Sequence, residues 1–342
     1  MIRTVTLNPA VDKTVQINDF AIGTVNRISA LRIDAGGKGI NVAKVLKVLG
    51  EDCRALGILA GHNGHFIKEQ LDKSNIDNDF VFTGGETRTN LKVVDPIGAS
   101  YTDLNEPGGE VLAVDLKRLE EKIFSDLRED GILVLDGSVP ARVTPDIYGH
   151  WIRRAEDAGA KTILDADGQL LQEGIKARPY LVKPNVHELE SLFGRKLLGP
   201  EAVAQAAREL LAAGVTMVVV SMGAEGAVFV QKAYTYYAEA PLVEVQSTVG
   251  AGDAMVAALA CSVAKGYSPE KMVRLAMATS AAQVLTPGTQ PPEKEMVRTL
   301  ENRVSFWPII LSGTLSRYRK DGHSRREKSS KDSSDKRAQM LL

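Results

Sequence analysis

Short apolar runs rich in Val, Ile and Leu alternate along this chain with longer segments of helical period. Runs at 1–7, 55–59, 131–135, 161–164, 180–182 and 215–220 predict strands. Several are apolar without alternation, the pattern of strands covered on both faces. Between them, 40–49, 64–74, 115–127, 144–158, 201–213, 253–265 and 269–285 carry helical spacing. Strand–helix alternation of this kind predicts an α/β fold, a mainly parallel sheet between layers of helices. Two stretches break the rhythm. Residues 14–33 and 87–101 read as strands with polar residues interleaved and no helix between neighbours, as in Asn90-Leu91-Lys92-Val93. They predict a small one-faced sheet, a lid drawn from about 12–35 and 86–107, with an outer face that needs a partner. A second copy of the chain, giving a homodimer through the lid, would supply one.

The character changes near residue 305. The main domain is expected over 1–304, followed by a basic, Ser-rich tail over 305–342 that is disordered at least from 312. Composition adds mainly exclusions. With 42 Lys plus Arg against 43 Asp plus Glu in 342 residues, the net charge of −1 gives no reason to expect nucleic acid or a membrane surface as partner. Two cysteines, Cys53 and Cys261, have no CxxC neighbour, so neither a zinc site nor a disulfide framework is expected. Asp12 and Lys13 interrupt what would otherwise be an apolar leader. A cytoplasmic protein is the expectation.

Three motifs carry candidate chemistry. Thr248-Val249-Gly250-Ala251-Gly252-Asp253 runs directly into a helix. Glycines at a helix start let main-chain amides converge on an anion, and the helix dipole adds positive potential. A helix cap and a turn explain the same residues equally well. Asp34-Ala35-Gly36-Gly37-Lys38-Gly39-Ile40-Asn41 opens another helix and suits close approach to a phosphate or sugar, or else a Gly-rich turn with a solvated lysine. It is not a P-loop, since Gly39 stands where Ser or Thr should follow the lysine. Val42 and Met255 occupy the third-glycine positions of a dinucleotide fingerprint, which disfavours a nicotinamide-dependent dehydrogenase. Lys183-Pro184-Asn185-Val186-His187-Glu188 follows a strand. Asn185 and Glu188 have the spacing to face hydrated Mg²⁺ together, or simply to begin a helix after Pro184. Asn8–Asp12, Thr87–Asn90, Gly137-Ser138 and the Ser221–Gly226 loop mostly lie past the C-terminal ends of predicted strands, the edge where open α/β sheets bind ligands.

In this order, Asn8–Asp12, Gly36–Asn41, Lys183–Glu188, Ser221–Gly226 and Thr248–Asp253 resemble the successive signatures of the ribokinase-like carbohydrate kinases, over about residues 1–303. TLNPAVD, DAGGKGINVAKVL and GETRTN are most similar to the branch that acts on phosphorylated ketohexoses. The resemblance implies a ribokinase-like three-layer fold with a lid, and ATP and Mg²⁺ as cofactors. The implied reaction is phosphorylation of fructose 1-phosphate at its 6-hydroxyl. Tagatose 6-phosphate or fructose 6-phosphate is the alternative substrate, and a catalytically silent sugar-phosphate sensor the more distant one.

By the same resemblance, Asp253 would be the base, and Gly250, Ala251 and Gly252 the anion hole. Asp12, Gly37 and Asn41 would hold sugar hydroxyls. Lys38 and Arg88 would face the substrate's own phosphate, with Asn90 and Ser138 nearby. Lys183, Asn185, Ser221, Gly223, Ala224, Glu225 and Gly226 would line the nucleotide site, and Asn185 and Glu188 would organise Mg²⁺ through water. Arg27 would reach a phosphate in a partner subunit. Asp136 departs from the pattern, because that position is more often a small residue; an extra carboxylate there would repel a phosphorylated sugar unless turned away. The helix dipole at Asp253 predicts a lowered pKa.

Overall fold

A computed structural model of the chain describes residues 1–310. Its main sheet has 11 strands. Six parallel strands form the centre, in the order Met217–Ser221, Leu181–Val182, Lys161–Asp165, Ile132–Asp136, Ile2–Thr6 and Cys53–Ala60. Every residue of Ile2–Thr6 and of Ile132–Asp136 is buried; burial on both faces accounts for the apolar run Ile132–Leu135, while Ile2–Thr6 also buries Arg3, Thr4 and Thr6. Ile132 and Val134 point into a core shared with helices Lys38–Leu49, Ala251–Lys265 and Pro269–Gln283. Leu133 points the other way and is registered with Arg3, whose guanidinium donates to the Ile123 carbonyl of helix Ala113–Phe124. The sheet therefore lies between two helical layers.

Helix Ala251–Lys265 is buried from Asp253 to Ser262 and carries five alanines in the stretch 254–264 that let it pack closely against its neighbours. No helix among the described residues is long and apolar enough to cross a membrane.

The second sheet has four strands, in the order Ala30–Gly36, Ala10–Gln16, Arg88–Asp95 and Ser100–Asn105. The register places Asp12 between Asp34 and Asn90, with Asn105 beyond, on one face. The alternate positions Val15, Leu31, Val93, Leu91, Ile33 and Leu104 form a mainly apolar opposite face that also carries Lys13 and Thr102, and of which Leu31, Ile33 and Leu104 are exposed. This is the one-faced lid that the interleaved pattern predicts.

Several elements lie outside the sequence expectations. Ala227–Gln231 and Thr235–Ala238 form an antiparallel hairpin at one edge of the main sheet. Helices Gly168–Lys176 and Lys294–Glu301 are short. Strand Phe306–Pro308 pairs with Thr235–Ala238, so the folded unit runs past the expected boundary at 304. The reason is aromatic: Phe306 and Trp307 meet Tyr236 and Tyr237 edge-on, at 5.3 Å between ring centroids in each pair. The expectation of disorder from 312 onward falls outside the described residues.

Candidate active site

Helix Lys38–Leu49 begins at the C-terminal end of Ile2–Thr6, and two glycines make that approach possible. Gly37 has φ +117°, and a Cβ there would lie 2.7 Å from the Thr6 side chain. A Cβ on Gly39 would lie 2.7 Å from both Thr6 Oγ1 and the Val5 carbonyl. The helix start thus presses its first residues, Lys38 and Asn41, into a cavity of about 450 Å³. The lid closes the opposite wall with Asp12, Asp34, Arg88 and Asn90. Ser138 and Asp136 come from the strand end at 136–138, and Gly250 and Asp253 from the start of helix Ala251–Lys265.

Asp253 is buried, and its Oδ2 accepts a hydrogen bond from Asn41 Nδ2 at 2.8 Å. Burial pushes its pKa above the ordinary carboxylate value, against the opposing pull of Lys38 and Asn41. The direction is opposite to the one expected from the helix dipole. Loss of solvent outweighs a dipole contribution that acts only over the first turn.

Three carboxylates converge here: Asp136, Asp165 and Asp253 each bring an oxygen within 4.8 Å of the others. Two ammonium groups answer them. Lys38 Nζ lies 3.1 Å from Asp165 Oδ1 and 3.8 Å from Asp136 Oδ1, and Lys183 Nζ lies 3.0 Å from Asp165 Oδ2. Burial opposes the charge on Lys38, but Asp165, Asp136 and Asp253 together hold its pKa well above the usual lysine value. Burial raises Asp165 too, yet Lys183 and Lys38 bring it below the usual value. Burial and the neighbouring Asp165 raise Asp136 well above it.

Arg88 faces different charges. It donates to the Asn8 and Glu106 carbonyls at 3.1 and 2.8 Å, with Asp12 and Glu106 as its nearest acids. Asp12 Oδ1 accepts from Asn90 Nδ2 at 3.0 Å, and Asn8 Nδ2 bonds Ser138 Oγ at 3.3 Å. The two cations expected together on one phosphate therefore serve different acids: Arg88 those of the lid, Lys38 those around Asp253.

Most buried side-chain polar atoms without a partner among the described residues belong to the lining of this cavity: Thr6, Asn41, Arg88, Asn90, Asp136 and Thr289. Buried polar groups are normally paired. A concentration of unpaired ones around one cavity marks the place where a polar ligand supplies the missing bonds.

Lys183 sits behind the helix start; a Cβ on Gly252 would lie 3.5 Å from its Nζ. Asn185 and Ser221 are joined by a backbone bridge, and Gly223, Ala224 and Glu225 form an exposed turn closed by Gly226. These residues share one strand edge but do not line the cavity. Asn185 and Glu188 form a capping box, Asn185 Oδ1 accepting from the Glu188 amide at 2.9 Å and Glu188 Oε2 from the Asn185 amide at 2.8 Å. Arg27 lies in an exposed lid loop outside the cavity.

Several contributors lie outside the candidates read from the sequence, among them Thr6, Asn105 and Thr289 of the lining, Asp165 and Asp34. Asp165 directly follows the predicted strand 161–164, and the edge rule applied to its neighbours would have found it. Asp34 lines the cavity from the Gly-rich motif itself.

The profile of the pfkB family carbohydrate kinases matches residues 5–296. The chain belongs to that family. Among curated relatives of the kinase, the 1-phosphofructokinase of Rhodobacter capsulatus is 41% identical over 297 residues, spanning 86% of this chain and 94% of that one. The phosphofructokinase-2 of Escherichia coli, solved in complex with substrates and products, matches the kinase with a TM-score of 0.85 at 31% identity, over 88% of this chain and 98% of that one. A ribokinase from Thermotoga maritima, at 24% identity and a TM-score of 0.70, shares the fold, over 88% of this chain and 99% of that one.

Proposed function

We propose that this kinase transfers the γ-phosphoryl group of ATP to the 6-hydroxyl of fructose 1-phosphate, giving fructose 1,6-bisphosphate. The observation that carries the reading is the meeting, in one cavity, of a buried carboxylate at a glycine-rich helix start with the polar face of the lid. The 1-phosphofructokinases among its relatives supply the choice of sugar.

In this reading Asp12, Asn90 and Asn41 orient the sugar hydroxyls, with Gly37 leaving room beside them. Arg88 and Ser138 hold the phosphate that the substrate already carries. Arg88 presents a planar fork suited to two phosphate oxygens, which an ammonium cannot match. Asp253 accepts the proton of the attacking hydroxyl as the new oxygen–phosphorus bond forms and the bond to the β–γ bridging oxygen breaks, releasing ADP. The amides of Gly250, Ala251 and Gly252 receive the transferring oxygens. Lys38, beside Asp253, neutralises the same group. Phosphoryl transfer asks mainly for such placement and charge balance.

Lys183, Asn185, Ser221 and the Gly223–Gly226 turn would border the nucleotide. Mg²⁺ fits beside Glu188: the half-buried carboxyl has its pKa raised by burial and keeps one oxygen outside the capping box. When bound through water there, the ion would neutralise the nucleotide's phosphates. The exposed Leu31, Ile33 and Leu104 support a homodimer through the lid, with Arg27 of each copy directed to the other. Buried free thiols at Cys53 and Cys261 agree with a reducing, cytoplasmic setting.

The test is a coupled assay of ADP release with fructose 1-phosphate, fructose 6-phosphate and tagatose 6-phosphate in parallel. The expected result is the highest kcat/KM on fructose 1-phosphate. A higher value on either competitor would reassign the substrate, and sugar binding without turnover would point to a sensor.

A further inference from the structure

Asp136 and Asp165 end adjacent parallel strands and are registered with each other, so their carboxyls stand side by side. Lys183 and Lys38 both serve Asp165. Asp136 has no such complement: it is fully buried, neither oxygen has a hydrogen-bond partner, and its nearest cation is Lys38 at 3.8 Å. The next residue completes the picture. A Cβ on Gly137 would lie 3.5–3.6 Å from the Cβ, Cγ and Cδ atoms of Lys38, so the aliphatic stem of the lysine rests on that glycine. The Gly137 carbonyl is held in turn by the Tyr148 hydroxyl at 3.1 Å.

We infer that Asp136 and Gly137 form a seat that parks Lys38 between turnovers, and that Asp136 is the positioning residue setting how firmly the ammonium is held. The inference rests on the reading of Lys38 as the cation that meets the transferring phosphoryl group. Lys38 has to leave its carboxyls, in part, to reach that group. A neutral Asp136 leaves Asp165, with ionised Asp253 beside it, to hold the ammonium. An ionised Asp136 adds a further negative charge and retains the lysine in its seat.

The surroundings set the sign. Asp136 is faced by Asp165 from the next strand, Asp253 from helix Ala251–Lys265, Lys38 and Lys183 from their own segments, and Tyr148 from helix Ile147–Asp157. Burial and the two acids favour its protonated form over the pull of the two lysines. Two carboxyls this close do not both ionise readily. Lys38 itself has its pKa raised well above the usual lysine value, so it stays charged while Asp136 titrates.

The kcat profile of the wild type is then bell-shaped. Its acid limb reports Asp253, and its alkaline limb the ionisation of Asp136. Beyond that limb kcat falls by about tenfold per pH unit, the slope of a single ionisation. Asp136→Asn, of equal size, and Asp136→Ser, smaller and neutral, should each abolish the alkaline limb while retaining the acid limb. Lys38→Met should lower kcat across the range, remove the alkaline limb, and leave KM for the sugar phosphate within about twofold.

Persistence of the limb in Asp136→Asn, or its absence from the wild type, would overturn the seat. The second observation needs no variant to fold. Unchanged kcat in Lys38→Met would overturn the reading of Lys38 itself, and the seat with it. A lowered kcat in Lys38→Met with an unchanged limb in Asp136→Asn would reject the seat alone.

Discussion

As the proposed base, Asp253 would have to be ionised before it could accept a proton, and burial works against that. Its folded pKa is raised, so activity should be lost as pH falls through a value above that of an ordinary aspartate. The fully active form exists above that value. Replacing Asp253 by Asn removes the acceptor and keeps the shape and the bond to Asn41. We expect kcat to fall by roughly 10²–10⁴, the usual contribution of a general base, with KM for both substrates little altered. Initial rates against each substrate check this, and near-normal turnover in the variant would remove Asp253 from the mechanism. The same residue illustrates how a sequence can give a location without an environment. Its place before an apolar helix could be read directly. The carboxyls of Asp136 and Asp165 come from other strands more than 80 residues away, and only folding brings their charge and the loss of solvent to bear.

At the level of elements, the glycine-rich entry to helix Lys38–Leu49 carries both fold and site. An L-residue at Gly37 would be strained at φ +117° and would meet the Thr6 side chain at 2.7 Å. Gly37→Ala should therefore lower stability by about 1–3 kcal/mol and raise KM for the sugar phosphate, since Lys38 and Asn41 follow directly. Thermal melts alongside steady-state kinetics would separate the two effects; a variant that melts and turns over like the wild type would count against this account. The parallel core was legible because most buried strands are continuous apolar runs, and the lid because Asn90 and Lys92 alternate with Leu91 and Val93. The hairpin of Ala227–Gln231 and Thr235–Ala238 was legible only in its first strand, where Ala-Val-Phe-Val is a continuous apolar run that the sequence expectations leave out. Its second strand, Thr-Tyr-Tyr-Ala, is short, half-buried in the middle and paired at an edge, so neither a continuous nor a clean alternating pattern marks it. Phe306–Pro308 reads as tail in the sequence for a related reason: three residues acquire strand character only against Tyr236 and Tyr237.

Across the whole molecule, a dimer formed through the lid would tie assembly to chemistry. One face of a single four-stranded sheet presents Asp12, Asp34 and Asn90 to the cavity, while the other exposes Leu31 at 57%, Ile33 at 44% and Leu104 at 54%. Because side chains alternate along a strand, a contact that fixes the apolar face also fixes the height of the polar face over the sugar. Two lids packed back to back would bury both apolar faces and stiffen both covers. The double substitution Leu31→Asp and Ile33→Asp places charge on that face and leaves the cavity face untouched. It should halve the solution mass from twice the 36.9 kDa chain to a single copy, as read by light scattering. It should also raise ATP hydrolysis in the absence of sugar, because a loosened cover admits water to the phosphoryl group. A wild type that is already monomeric would separate the apolar face from assembly. A dissociated variant with unchanged hydrolysis would separate assembly from the cover, leaving the polar face of the lid held by its own strands alone.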